Sequence, residues 1–241
     1  MTRREGRGWR QRLLASLEIF LALGFLTDGI AVGLLASFPS LSDPLSSVPA
    51  LAGFMLCSSV LLVGVIVLLL RMRGESLASL CFGSVARPRH EVFIGIALVP
   101  VIFLAAMLMK STIRHLLPGI YSGERNVLEE MMQSPSDLAL FLGVALFAGG
   151  FREEVQRAFV IHRFEADWGP AWLGATLFAL LFGYGHLIQG RDEAILAGVF
   201  GLAWGLIYAK RRSLVAPALS HGLYDALELV RYYLFGPMRY F

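Results

Sequence analysis

Phe151-Arg152-Glu153-Glu154-Val155-Gln156-Arg157 places four charged side chains within two helical turns of a segment that is otherwise apolar. The run from 138 to 150 before it and Ala158-Phe159-Val160-Ile161 after it have the composition of a membrane span. A charge near the centre of a bilayer costs at least ~2.5 kcal/mol, so such residues normally face a protein interior or a water-filled cavity. The stretch therefore predicts a polar site inside the membrane. A structural ion pair that joins two helices is the alternative.

The composition of the whole chain indicates an integral membrane protein. Of 241 residues, 56% are hydrophobic and 16% are charged, and the mean hydropathy is +0.66. The net charge of +3 comes from arginines in short segments beside apolar spans, which favours membrane topology over nucleic-acid binding. Cys57 and Cys81 lack the paired spacing of a zinc site or a disulfide framework. The predicted fold class is all-α, a polytopic bundle of transmembrane helices.

Seven apolar segments are long enough to span a bilayer, which takes ~20 residues. The polar linker from 110 to 137 divides them into an N-terminal three-span region, 1–137, and a C-terminal four-span core, 138–241. Glu129 and Glu130 lie in this linker, in a piece expected to rest on the outer surface. The predicted spans are 13–38, 48–70, 92–109, 138–165, 171–189, 193–209 and 214–235.

The distribution of basic residues predicts which side each loop occupies. Five arginines precede the first span, which is too long for a signal peptide and is expected to be retained. With the N-terminus in the cytoplasm, thirteen basic residues lie in inner segments and five in outer ones. The positive-inside rule favours this orientation, which places the C-terminus outside. The expected location is the cell (inner) membrane.

Two further spans carry polar residues that a lipid-facing helix would avoid. The fifth contains Phe182-Gly183-Tyr184-Gly185-His186, and the seventh contains Ser220-His221-Gly222-Leu223-Tyr224-Asp225. His221 and Asp225 are four residues apart and project from one helix face. A single intramembrane histidine is more often a structural residue. Two histidines, an aspartate and a Glu-Glu-Arg cluster on three spans together indicate one shared polar site.

These residues resemble the motifs of the CPBP intramembrane proteases, which include CAAX-processing endopeptidases and bacteriocin-processing and immunity proteins. The family pattern is Glu-Glu-x-x-x-Arg, Phe-x-x-x-His and His-x-x-x-Asn or Asp on successive helices. The second and third motifs match without exception. In the first, the arginine position holds Ala158, and Arg157 comes one residue early, ~100 degrees around the helix.

The resemblance implies peptide-bond hydrolysis inside a helical bundle by a water that a glutamate and a histidine activate. The resemblance gives Glu153 the role of activating the water and Glu154 a supporting role. Helix geometry alone lets Arg157 pair with either carboxylate, and it orients a pair with Glu153 better. If the arginine is only a charge partner, moving it to position 158 should be tolerated. The implied site residues are Glu153, Glu154, Arg157, His186, His221 and Asp225.

Two mechanisms fit these residue types. Without a cofactor, Glu153 and His186 would take a proton from water while His221 and Asp225 orient or stabilise the oxyanion. With zinc, His186, His221 and Glu153 would form an open three-ligand site. The chain lacks His-Glu-x-x-His, the helical spacing of zinc proteases, which favours the metal-free mechanism.

Non-enzymatic functions are the rival class. A membrane scaffold or immunity factor could hold a peptide, and a proton-coupled transporter could use a chain of Glu, His and Asp. The absence of an internal repeat argues against a transporter. The expected partners are a protein or peptide substrate and the lipid bilayer, with no nucleic acid. Structural roles are expected for Glu18 and Asp28 and for a pair between Glu228 and Arg231.

Overall fold

The computed structural model describes residues 8–83, 88–122 and 127–237, and within these ranges all regular structure is helical. The predicted all-α class is confirmed. A π-helical segment, Ala145–Glu153, joins α7 to α8, so that the chain is helical without a break from Pro135 to Asp167. The α-helices are α1 (Trp9–Ala22), α2 (Phe25–Leu35), α3 (Val48–Met72), α4 (Leu77–Phe82), α5 (Pro88–Leu116), α6 (Val127–Met131), α7 (Pro135–Val144), α8 (Glu154–Asp167), α9 (Ala171–Gly185), α10 (Arg191–Arg211) and α11 (Val215–Phe235).

Five segments of the described chain are long and apolar enough to cross a membrane. They are Trp9–Leu35, Val48–Met72, Pro88–Leu116, Ala171–Gln189 and Arg191–Arg211. The other two predicted spans, 138–165 and 214–235, lie almost entirely in helices, but they carry charged motifs and are not among these five. The count of seven therefore stays a prediction.

The first predicted span is broken in two at Gly24. This residue has φ +98°, a left-handed conformation that glycine adopts at no steric cost, and it separates α1 from α2. Side chains bond two backbone carbonyls at the break, that of Ala22 and that of Gly24, of which the latter also accepts from the backbone N–H of Asp28 at 2.8 Å. Gln156 of α8 donates to the carbonyl of Ala22 at 2.7 Å, and Thr27 donates to that of Gly24 at 2.8 Å. The break therefore also attaches α1 to the helix that carries the charged motif.

Helix α8 lies in the middle of the bundle. Every residue from Glu154 to Ile161 is buried, and Val155, Phe159 and Ile161 share one apolar cluster with residues of α3 and α9. A helix buried on all sides has no lipid-facing surface in this part. The charged side chains of this stretch therefore face protein, as their cost in lipid requires.

The end of α8 opposite the charged motif is held by ion pairs. Arg163 is fully buried and pairs with Glu18 of α1 at 2.5 Å and with Glu75 at 3.0 Å. Arg73 bridges Glu18 and Asp167 at 2.9 Å each. These pairs join α1 and α8 to the segment that follows α3 and give Glu18 the expected structural role.

The other two expected structural contacts are also present. Asp28 accepts a hydrogen bond from Ser58 of α3. Glu228 pairs with Arg231 at 2.9 Å on α11. The former contact joins α2 to α3, whereas the latter neutralises two charges within one helix.

Candidate active site

The first motif begins where the π-helix ends. A π-helix closes its hydrogen bonds over five residues instead of four, and such segments are rare and often lie at functional sites. Glu153 is the last residue of this segment and Glu154 is the first of α8. The side chain of Glu153 reaches a cavity, whereas that of Glu154 is buried below it.

Two glycines let the π-helical segment approach α11 closely. A Cβ atom on Gly149 would lie 2.5 Å from the carboxylate of Asp225, and one on Gly150 would lie 2.9 Å from the backbone of Gly222. The contact at Gly150 is with backbone and leaves no room for a side chain, whereas a side chain at Gly149 would displace the carboxylate of Asp225. The first and third motifs therefore meet because these positions have none.

Arg157 lies under the site in an aromatic cage that consists of Phe178, Phe182 and Trp204. Its guanidinium carbon is 4.7 Å from the ring centre of Phe182 and 5.6 Å from each of the other two. The side chain pairs with Glu154, and two of its nitrogens have no hydrogen-bond partner among the described residues. Contacts of a cation with ring faces are attractive and strengthen when water is excluded.

This arrangement leaves Glu153 available. The i, i+4 pair with Arg157 that ideal helix geometry favours does not form, because the cage holds the guanidinium on the side of Glu154. Regular α-helical spacing also begins only after Glu153. The described ionic neighbours of Glu153 are Arg152 at 3.9 Å and His221 at 3.7 Å, both longer than a hydrogen bond.

His221 is fixed by contacts on its edge and on its face. Its Nδ1 donates to Glu154 Oε1 at 2.8 Å, and its ring stacks on the indole of Trp204 at 4.0 Å and 19°. Its Nε2 points between two carboxylates, 3.7 Å from Glu153 and 3.5 Å from Asp225. Those separations suit groups that share a bound molecule better than groups bonded to each other.

His186 ends α9 with one defined tautomer. Its Nδ1 lies 2.8 Å from the backbone carbonyl of Phe182, and a carbonyl can only accept, so Nδ1 carries the proton. In the neutral ring Nε2 is then a free acceptor. The Phe182 ring lies 4.4 Å from the ring of His186 and 6.3 Å from that of His221, so this one phenylalanine packs against both histidines.

A cavity of about 190 Å³ brings the three motifs together. Glu153, His186, His221 and Asp225 line it, while Glu154 and Arg157 support these residues from below. Much of the remaining wall is apolar, with contributions from α3, α7, α10 and α11. Other polar lining residues are Lys110, Glu129, Gln189, Glu193, Tyr224 and Glu228.

Trp204 and Glu129 line the cavity, and neither was assigned to the site from sequence. Trp204 lies in an apolar span, where a single tryptophan carries no signal. Glu129 was expected on the outer surface, yet it lines the cavity from α6, which is only five residues long. Its position after a polar linker points to no particular side of the bundle.

The residues of the zinc alternative do not form a metal site. Within the described ranges no three His, Cys, Asp or Glu side chains are placed to hold one ion. Of His186, His221 and Glu153, both histidines use Nδ1 in other hydrogen bonds, and His221 Nε2 is 3.7 Å from the glutamate. This geometry therefore does not fit a metal-bound water, and metal independence stays a prediction.

A comparison with known protein families gives a match over part of the chain. Residues 134–227 match the family model described as Rce1-like, type II CAAX prenyl endopeptidase. The segment covers less than half of the chain and includes all six candidate site residues. The resemblance drawn from the three motifs is confirmed. No curated protein and no solved structure matches the chain.

Proposed function

We propose that this chain is an intramembrane endopeptidase of the family that residues 134–227 match, and that Glu153 activates the hydrolytic water. The family match indicates a peptidase of the CAAX-processing type, and the apolar helices indicate an integral membrane protein. The mechanism below goes beyond that match and depends on the geometry of the site.

One observation carries the proposal: four groups with complementary chemistry line a single cavity. A carboxylate, Glu153, and an imidazole acceptor, His186, can take a proton, whereas His221 can donate from Nε2 when it is protonated. A structural ion pair would have no need of a cavity. The buried pair of Glu154 and Arg157 serves structure and leaves the lining groups available for chemistry.

The first step is attack by water. Glu153 takes a proton from a water that also donates a hydrogen bond to His186 Nε2. The water oxygen then bonds to the carbonyl carbon of the peptide bond that is cleaved. The carbonyl electron pair moves to oxygen and forms an oxyanion. Burial of the site strengthens each of these electrostatic contacts.

The oxyanion then needs a hydrogen-bond donor to stabilise its charge. His221 holds one proton at Nδ1 against Glu154, so in its doubly protonated form it presents a second at Nε2 towards the cavity. Asp225 stands 3.5 Å from that nitrogen and stabilises the imidazolium. Collapse of the intermediate breaks the carbon–nitrogen bond, and the proton held by Glu153 passes to the leaving amine.

The experiment compares Glu153→Gln with Glu154→Gln. The probes are a farnesylated peptide with a C-terminal Cys-aliphatic-aliphatic-X sequence and an unprenylated peptide mixture, each incubated with purified protein in liposomes. Loss of a general base typically removes about 10²- to 10⁴-fold of rate. We expect Glu153→Gln to be folded and inactive. Glu154→Gln should keep more activity but unfold at a lower temperature, because it leaves Arg157 without its carboxylate.

Thermal unfolding of both variants is the control for folding. Normal cleavage by Glu153→Gln with a dead but folded Glu154→Gln would reverse the two roles. Normal cleavage by both variants would contradict a mechanism in which a glutamate activates the water. Retention of a cellular function by Glu153→Gln without any cleavage would favour a binding scaffold.

A further inference from the structure

The charges around the cavity are unequal. Five carboxylates and one amine line it: Glu129, Glu153, Glu193, Asp225 and Glu228 against Lys110. Glu153 and Asp225 lie beside His221 and belong to the proposed mechanism. The other four charges come from α5, α6, α10 and α11 and form a separate group, which we call the rim.

Two of the three rim carboxylates are already neutralised. Glu193 of α10 forms an ion pair with Lys110 of α5. Glu228 pairs with Arg231 one turn further along α11 at 2.9 Å. Among the described residues no ion pair and no side-chain hydrogen bond occupies the carboxylate of Glu129. The rim therefore has one carboxylate in the cavity wall without a cation of its own.

The surroundings of Glu129 place its ionisation near neutral pH. Burial, and then to a smaller extent the carboxylates of Glu193 and Glu228, raises the pKa of Glu129 to about 7, against the lowering effect of Lys110 and Arg231. A cation that binds beside Glu129 would favour its ionised form. Binding of such a cation is then coupled to release of a proton near neutral pH.

Apolar neighbours complete the surroundings of this carboxylate. Leu128, Leu229 and Met55 line the same cavity. Long basic side chains lay their methylene stems along apolar surface and direct the charged head towards a partner. A lysine or arginine side chain fits this combination, whereas an acidic side chain would meet a wall with an excess of carboxylates.

We propose that Glu129 binds a lysine or arginine side chain of the substrate, so that the protease selects peptides with a basic residue at a fixed distance from the cleaved bond. This inference rests on the proposed function. It adds a specificity determinant outside the six motif residues.

The test begins with the full-length wild-type protein in liposomes and a peptide mixture of randomised sequence. Sequencing the products should show enrichment of lysine and arginine at one position relative to the cut. A matched set of peptides with Lys, Gln or Glu at that position then gives kcat/KM. Glu129→Gln should lower the preference for Lys over Gln about tenfold, the effect of losing one charged hydrogen bond.

Glu130→Gln is the matched control. It removes the same charge from the next residue of α6, which is exposed and does not line the cavity, so the preference for lysine should stay as in the wild type. In the wild type that preference should also rise from about pH 6 to about pH 8 as Glu129 ionises, because lysine is charged at both values. In Glu129→Gln it should be flat.

The outcomes separate the two proposals. Cleavage without enrichment of basic residues, or with equal enrichment in wild type and Glu129→Gln, overturns the role of Glu129 and leaves the protease intact. A wild-type protein that cleaves neither this mixture nor the farnesylated peptide overturns the proposed function, and this inference with it.

Discussion

The imidazole of His221 has a carboxylate on one nitrogen, two more near the other and an indole ring against its face. The hydrogen bond to Glu154 sets the tautomer, but a single bond allows the ring to rotate about it. Stacking on Trp204 removes that freedom. Trp204 is itself held, because its indole N–H donates to Ser220 of α11 at 2.9 Å.

Trp204 should therefore act as a positioning residue for His221. We expect Trp204→Leu to lower kcat about 10²-fold, the typical cost of a misplaced group, with little change in KM. Trp204→Phe should restore most of the rate, since it keeps an aromatic face. The measurement is steady-state cleavage of the peptide that the wild type cuts best.

Tyr208→Leu is the control for packing alone. Tyr208 is a buried aromatic residue one turn further along α10, but its hydroxyl contacts the backbone of Leu80 and it does not line the cavity. Equal losses of kcat in Trp204→Leu and Tyr208→Leu would show that Trp204 contributes only to stability.

The motif residues and Trp204 differ in how far sequence could predict them. Glu153, His186, His221 and Asp225 are costly in lipid, so their presence within apolar spans already indicates a polar site. Trp204 has no such cost in a membrane helix. Its contact with His221 depends on how α10 and α11 pack, and no local pattern encodes that. The same holds for Glu129, whose place in the wall follows from the course of the linker.

At the scale of elements, the junction of the π-helix with α8 decides which glutamate is buried. Regular spacing would have placed Arg157 best against Glu153. The π-helical segment and the aromatic cage together give the arginine to Glu154 instead. Neither the π-helix nor the break at Gly24 was predicted, because each depends on close contact with another helix rather than on local propensity.

Restoring the family spacing should fail in this chain. Ala158 is 1% exposed and belongs to the apolar cluster around α8, so Arg157→Phe combined with Ala158→Arg moves a charge from the aromatic cage into that cluster. An unpaired buried charge costs at least about 3 kcal/mol. We expect the double variant to be inactive and to unfold at a much lower temperature than wild type.

Arg157→Lys is the comparison for that experiment. It keeps the charge beside Glu154 but loses the flat guanidinium that faces the rings, so its loss of stability should be smaller. Unfolding in detergent measures both variants. Wild-type stability and cleavage in the double variant would contradict the assignment of Ala158 to the core, and would support an arginine that is only a charge partner.

At the scale of the whole molecule, segments predicted to lie outside contact one another, and segments predicted to lie inside also contact one another. Ser122 accepts a hydrogen bond from the backbone of Arg191 at 2.6 Å, and both were expected outside. Arg211 pairs with Glu91 at 2.5 Å, close to loops expected inside. The fold is thus consistent with one end of the bundle for each set of segments.

Reporter fusions test the orientation. A reporter fused after Arg73 should be cytoplasmic and one fused after Ser122 should be external, because basic residues are concentrated in the segments expected inside. Paired reporters active on opposite sides of the membrane provide the measurement. Two fusions on the same side would remove the seven-span topology and would change the face from which substrate reaches Glu129.

Metal should be dispensable for cleavage. Each histidine of the cavity uses its Nδ1 in another hydrogen bond, and no three possible ligands in the described chain converge on one point. Protein treated with a chelator and shown to be metal-free by elemental analysis should keep most of its activity. Activity that disappears on treatment and returns with zinc would make His186 and His221 ligands and would contradict the roles proposed for them.

The size of the cavity also limits how the reaction obtains its second reactant. A volume of 190 Å³ corresponds to about six molecules of liquid water. A peptide that enters displaces most of them, and each bond cleaved consumes one. Between turnovers, water must re-enter the cavity before the next bond can be cleaved. Turnover therefore depends on hydration of the cavity as well as on substrate. Osmolytes too large to enter the cavity would withdraw water from it and lower the rate of cleavage.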